Sequence, residues 1–295
     1  MKTYGDYLAE IFPGIKVQKI SIDAGFSCPN RDGKIGIGGC SYCRNDSFSP
    51  DYCNPGHSIA AQIEKGKSFF SRKYPAMKYL AYFQRYTGTY GHSVFELEKF
   101  YREAMEQSDV VGLVIATRPD CVSPSTLDLL EQLNREKPVF MEIGAETSFD
   151  DTLRIINRNH TWADVENSVK LLSQRGLRCG IHLIAGLPGE SNEMVITTVK
   201  RAIAFPIETL KLHQLQILYD TPLFHQWKNG EVDVKNYSLE EYVDLCAEIV
   251  KIVPPNIIIE RFLSQSPPQL VAHPKWGLKN YQFMSLLDKK FNKLS

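Results

Sequence analysis

Six short runs rich in β-branched and aromatic residues, each followed by helix signals, restrict this chain more than any other feature. They are Ile15–Ile22, Lys78–Phe83, Val110–Ala116, Pro138–Ile143, Arg178–Ile184 and Thr209–Ile217, each apolar or alternating over a strand's length. Between them, Ser93-Val94-Phe95-Glu96 and Thr161-Trp162-Ala163-Asp164 read as capping boxes, with Asp in the Glu position of the second. Ser123-Pro124 offers an N-cap followed by proline at the first helical position. Gly176 suits the left-handed residue that ends a helix carrying Val165, Val169 and Leu172. Repeated strand–helix units predict a parallel sheet with right-handed crossovers. Six of them predict an α/β fold, a partial (βα)6 TIM-like barrel rather than a complete eight-unit one.

After the sixth run the pattern changes. Ser238-Leu239-Glu240-Glu241 caps a helix to about Val253, Ile257–Glu260 reads as another strand, and a last amphipathic helix aligns Phe283, Leu287, Phe291 and Leu294. The expected division is a barrel over 1–235 with a short α/β C-terminal extension over 236–295. In the tail, Lys275, Lys279, Lys289, Lys290 and Lys293 stand against one acid, Asp288. The plain reading is a solvated helix face, and the sharper one a phosphate-contacting edge for RNA.

Composition removes several classes. Lys+Arg and Asp+Glu both total 34, so the chain does not coat nucleic acid by net charge, although a local basic patch remains open. No apolar run reaches the length of a membrane span, and residues 1–13 lack a signal-peptide core, so a cytoplasmic protein is expected. Its 7 cysteines are an odd number with no sign of export, which disfavours a disulfide framework and points clustered thiols toward metal or chemistry.

Three of them, Cys28, Cys40 and Cys43, lie in a C-x11-C-x2-C loop after the first strand, among Gly25, Gly33, Gly36, Gly38 and Gly39. Such glycines let a backbone fold tightly around something small, and a C-x2-C pair directs two thiolates at one point. Four readings follow: a zinc site completed by Cys53, a Cys40–Cys43 redox pair, packed structural thiols, or an iron–sulfur cluster with one open iron. The spacing alone leaves zinc and cluster level.

Six motifs taken in order separate them. They are Ala24–Cys43, Ala81–Tyr90, Ile115–Cys121, Glu142–Thr147, Ile156–His160 and His182–Glu190. Together they resemble the radical S-adenosylmethionine (SAM) superfamily, and within it the YhcC/YtqA-like family related to the catalytic subunit of Elongator. The resemblance implies a [4Fe–4S] cluster on Cys28, Cys40 and Cys43, with SAM chelating the fourth iron. It also implies a reductive cleavage of SAM to a 5′-deoxyadenosyl radical, an electron donor of flavodoxin or ferredoxin type, and tRNA as substrate, at the C5 side chain of wobble uridine. Radical chemistry on a small metabolite or protein side chain, or a zinc-stabilised RNA adaptor without catalysis, are the alternatives.

The resemblance also distributes the cofactor's contacts. Thr87, Gly88 and Thr89 stand where many relatives have Gly-Gly-Glu for the methionyl amine. Glu146 stands where a ribose-binding Gln is commoner. Glu142 is a second candidate for SAM, or a barrel-interior residue paired with Arg178 or His182. Gly186, Leu187 and Pro188 suit the adenine edge through their backbone. Arg118 and Asp120 hold each other or face substrate. Arg158 and His160 are candidates for a substrate phosphate or for capping the next helix, and Cys121 for a hydrogen donor.

Overall fold

The computed structural model describes residues 2–71 and 76–294, with side chains at all of these except 71 and 292–294. Seven parallel strands form one sheet in the order β1 (Val17–Ile22), β2 (Lys78–Phe83), β3 (Val110–Thr117), β4 (Val139–Glu146), β5 (Arg178–Ala185), β6 (Thr209–Gln214) and a last edge strand, Ile258–Arg261. The last strand, β8, comes from the segment expected beyond the barrel and pairs in parallel with β6. The expected sixth run splits. Gln214 ends the β6 ladder, its side chain exchanging hydrogen bonds with the backbone of Ser264, and β7 (Ile217–Leu218) pairs antiparallel with β9 (Val271–His273).

Helices follow from local signals. Ser93, Thr161 and Ser238 close capping boxes on α3 (Val94–Met105), α6 (Trp162–Gln174) and α9 (Leu239–Ile252). Gly176, at φ +63°, ends α6 as expected. A further box, Thr3 with Asp6, starts α1 (Tyr4–Ile11). The remaining helices are α2 (Ile59–Ser71), α4 (Pro124–Glu136), α5 (Asp150–Ile155), α7 (Asn192–Ile203), α8 (Pro222–Lys228) and α10 (Asn280–Leu294). On α10, Phe283 and Leu287 are buried and Phe291 packs on the same core; the side chains of Lys293 and Leu294 lie outside the described residues.

Strand alternation sorts the two faces of the sheet. Ile20, Ala81, Ile115, Met141, Ile181 and Leu212 join the helix-facing core. The opposite face begins with an apolar layer of Leu80, Val114, Phe140 and Ile258, which α1 covers with Tyr7, Leu8 and Phe12. Above it comes a charged layer. Lys19 donates to Glu142 (2.6 Å) and to both Glu260 oxygens (2.8 and 2.9 Å), so it ties β1 to the opposite edge strand β8. Lys211 and the Tyr82 hydroxyl also donate to Glu142, at 2.9 and 2.5 Å.

Candidate active site

At the C-terminal ends of the strands, where parallel α/β folds place ligands, a cavity of about 250 Å³ opens. Cys28, Cys40 and Cys43 all line it. Their loop is held in shape by side chains. Arg31 Nη2 donates to the Cys43 carbonyl (3.1 Å), packing where a Cβ on Gly39 would come within 2.7 Å of its Nε. Asn157 Nδ2 donates to the Gly39 carbonyl and Asn159 Nδ2 to Asn30 Oδ1, at 2.8 and 2.6 Å. Both asparagines sit in the left-handed region, φ 53° and 55°, a conformation asparagine tolerates better than most residues.

Three amide or guanidinium groups face the sulfurs. Asn30 Nδ2 and Arg158 Nη1 each lie 3.7 Å from Cys40 Sγ, and Asn45 Nδ2 lies 3.5 Å from Cys43 Sγ. Burial and the neighbouring Cys40 push the Cys43 thiol up to about 11, against the pull of Arg31. Cys53, the fourth ligand in the zinc reading, does not line this cavity; its Sγ points to the Ser21 carbonyl at 3.1 Å.

Beside the thiols stands Glu146, the last residue of β4, at φ +65°. A non-glycine residue in that region costs of order 1 kcal/mol and persists only where its surroundings fix it. Here a bulge in the β4–β5 ladder and the Arg158 guanidinium do so, with Nη2 3.1 Å from Glu146 Oε1. Thr87 is fully buried, lines the cavity, and its Oγ1 has no hydrogen-bond partner. Arg158 Nε is likewise buried without one. Orphaned buried donors and acceptors are uncommon and mark places for a ligand's polar atoms.

The charged layer forms the cavity floor. Burial alone would raise the Glu142 pKa, yet Lys19 and Lys211 hold it well below the carboxylate range. His182 Nε2 lies 2.8 Å from Glu142 Oε2, at ion-pair distance but off the line of a hydrogen bond. Burial lowers the His182 and His213 pKa values, which keeps both imidazoles neutral. Of the alternatives read for Glu142, the interior pairing with His182 is present, while Arg178 pairs with Glu208 instead (2.6 Å).

Several expected site residues stand elsewhere. Gly88 and Thr89 do not line the cavity. Gly88 N donates to the Ala116 carbonyl, and Thr89 Oγ1 donates to the Cys121 carbonyl, at 2.8 and 2.6 Å. Gly186, Leu187 and Pro188 also lie off it. Their turn is buried under residues 233–237, so a Cβ on Gly186 would meet the Tyr237 ring at 3.0 Å, and Leu187 packs with Val234. Cys121 is absent from the lining, its Sγ 3.7 Å from Asp120 Oδ1, and burial pushes its thiol up to about 12. Arg118 grips Asp120 with two donors (2.9 and 2.8 Å) and the Arg158 carbonyl with a third (2.9 Å). His160 is neutral, lowered to about 3 by burial and the two arginines.

The cavity also has a wall that motif reading missed: His213, Gln214, Gln216, Arg261, Ser264 and Ser266. The alternation Thr209-x-Lys211-x-His213 carried the signal, since polar residues at every second position of a barrel strand point inward.

The fold and the thiol loop have counterparts in known proteins. The family model described as the Radical SAM superfamily matches residues 28–202, and a Radical SAM C-terminal domain matches 207–293. Protein YhcC of Escherichia coli is 37% identical over 280 residues, covering 95% of this chain and 88% of that protein. A tRNA uridine(34) acetyltransferase of Methanocaldococcus infernus is 26% identical over 62% of this chain and 33% of its own length. The structure of an Elongator protein from the same archaeon superposes with a TM-score of 0.68 at 19% identity, covering 95% of this chain and 63% of that one. The chain belongs to the radical SAM superfamily and to its YhcC/YtqA-like family related to Elongator, and is an enzyme whose cofactors are SAM and a [4Fe–4S] cluster.

Proposed function

We propose that Cys28, Cys40 and Cys43 hold the cluster and that the enzyme acts on the C5 side chain of the wobble uridine in tRNA. The observation that carries the first part is the meeting of these three thiols at one cavity, with amide and guanidinium donors on two of them. Three thiolates and an open iron suit a cluster that must bind SAM. The three thiolates would hold a cluster that supplies the electron for reductive cleavage of SAM, and with it the hydrogen-abstracting chemistry of the family.

The protein's own groups bind, orient and exclude water. Glu146 accepts from the ribose hydroxyls, and the unpartnered Thr87 hydroxyl serves the methionyl end. Arg158 positions Glu146. Below, α1 keeps bulk water from the charged floor.

The RNA substrate rests on the likeness to the archaeal tRNA uridine(34) acetyltransferase. Because the matched region covers 33% of that enzyme, acetyl transfer is not part of the proposal. Removal or rearrangement of a C5 side chain after hydrogen abstraction is. Mass spectrometry of tRNA nucleosides from strains with and without the gene tests it, and a uridine derivative should accumulate in the deletion strain. Identical nucleoside profiles would move the substrate away from tRNA. Reduced, cluster-loaded protein that leaves SAM intact would remove the catalytic reading itself.

A further inference from the structure

Arg261 ends β8 and lines the cavity on the side opposite in chain order to the thiol loop. Its Nε is buried and has no hydrogen-bond partner, and among the described residues no carboxylate pairs with its guanidinium. The two acids near it are already taken. Glu260 receives Lys19 on both oxygens and Lys211 at 3.3 Å, and Glu142 receives Lys19, Lys211 and the Tyr82 hydroxyl. With His182 and His213 neutral, Lys19, Lys211 and Arg261 confront two carboxylates. The surplus cation is felt by its neighbours: burial, then Lys19 and Arg261, lowers Lys211 to about 8 despite the two glutamates. A partly buried guanidinium with an orphaned donor is costly unless an anion completes it, and its planar fork fits a carboxylate or phosphate.

We propose that Arg261 binds an anionic group of the substrate, a carboxylate or a phosphate, where the ends of β6 and β8 wall the cavity. The cofactor's carboxylate is the competing source. It belongs nearer the thiols, where the charged neighbours are Arg31 and Arg158, whereas those of Arg261 are Lys211 and Glu260. The wall around Arg261 is prearranged. His213 Nδ1 lies 2.9 Å from Ser264 Oγ, Gln214 Oε1 accepts from Ser264 N at 2.6 Å, and Ser266 Oγ donates to Gln216 Oε1 at 2.8 Å. Gln216 lines the same cavity. The proposal rests on the cavity being the reaction site, and not on RNA being the substrate.

Cluster-loaded, SAM-saturated protein is titrated anaerobically with pyrophosphate and, separately, with malonate, following the thermal midpoint; SAM affinity is measured by equilibrium dialysis. Wild type should be stabilised saturably by at least one of the two anions, and which one identifies a phosphate or a carboxylate. Arg261→Gln should lose that stabilisation, Arg261→Lys should keep part of it, and SAM affinity should stay within about twofold in both. The proposal falls if wild type shows no saturable effect, if Arg261→Gln responds like wild type, or if Arg261→Gln weakens SAM about tenfold, which assigns the guanidinium to the cofactor. Should Arg261→Gln fail to fold, an undiminished response in Arg261→Lys overturns it equally. Wild type that holds no cluster or leaves SAM uncleaved refutes the reading of the cavity, whatever the anions do.

Discussion

Arg158 Nη2 stands 3.1 Å from Glu146 Oε1 directly over Gly144, where a Cβ would lie 2.7 Å from the first atom and 3.0 Å from the second. The same nitrogen donates to the Gly144 carbonyl at 2.6 Å, and Nη1 reaches Cys40 Sγ. One guanidinium thus joins the proposed ribose ligand to a proposed cluster ligand.

Replacing that guanidinium should change the cluster's potential before it changes the fold. Hydrogen bonds and positive charge at a cysteinyl sulfur favour the reduced cluster. Arg158→Gln should therefore shift the potential to more negative values, read by redox titration with electron paramagnetic resonance. Arg158→Lys, which keeps the charge and loses the fork, should fall between. An unchanged potential in Arg158→Gln would reduce this residue to a support for Glu146.

Anaerobically isolated protein should be brown with about four irons and matching sulfide. Cys28→Ala, Cys40→Ala and Cys43→Ala should each abolish it, whereas Cys53→Ala, whose thiol faces the Ser21 carbonyl, should retain it. Colourless protein with one zinc, lost in Cys53→Ala, would reinstate the zinc reading.

Glu190 provides a pH test away from the thiols. Its carboxyl is buried, accepts from the Thr147 hydroxyl at 2.5 Å, and leaves Oε2 without a partner. Burial raises its pKa above the ordinary 4.5. A carboxyl raised in the folded state costs nothing below its unfolded pKa, and its penalty grows as pH rises from there toward the folded value. Glu190→Gln should accordingly be more stable than wild type at neutral pH, with the gain fading below about pH 4.5. Chemical denaturation at pH 4 and pH 7.5 measures it, and a gain equal at both pH values would contradict this account.

The lysines of the tail test the RNA substrate. Lys290 is held by Asp244 at 2.6 Å, so Lys290→Gln should leave the salt dependence of tRNA binding unchanged. Lys275, Lys279 and Lys289 together, replaced by Gln, should weaken binding and flatten the slope of log affinity against log salt. Each lost phosphate contact takes about 0.7–0.9 from that slope. Equal slopes in wild type and triple variant would return this edge to a solvated face.

What the sequence disclosed was set by range. Capping boxes at Ser93, Thr161 and Ser238 and the αL residue Gly176 are contacts within a few residues, so each was readable and each is present. The thiol loop was legible as a thiol site from its spacing, while the choice between zinc and cluster came only from the family resemblance of six motifs. Glu142 was not resolved, since its partners Lys19 and Lys211 lie 123 and 69 residues away. The Gly186–Pro188 turn looks locally like a ligand loop, and only the fold reveals that Tyr237 covers it. Arg261 carries no motif at all. Its isolation emerges only when Lys19 and Lys211 have claimed both glutamates.

Tyr7 and Leu8 of α1, with Phe12 just past its end, plug the sheet beneath the charged floor of the cavity. A bulky partner seated over the strand ends would cover whatever the cavity already holds. If the substrate of the proposed function is a macromolecule seated over the strand ends, SAM has to load before it. In that order of binding, departure of the covering partner would gate each turnover.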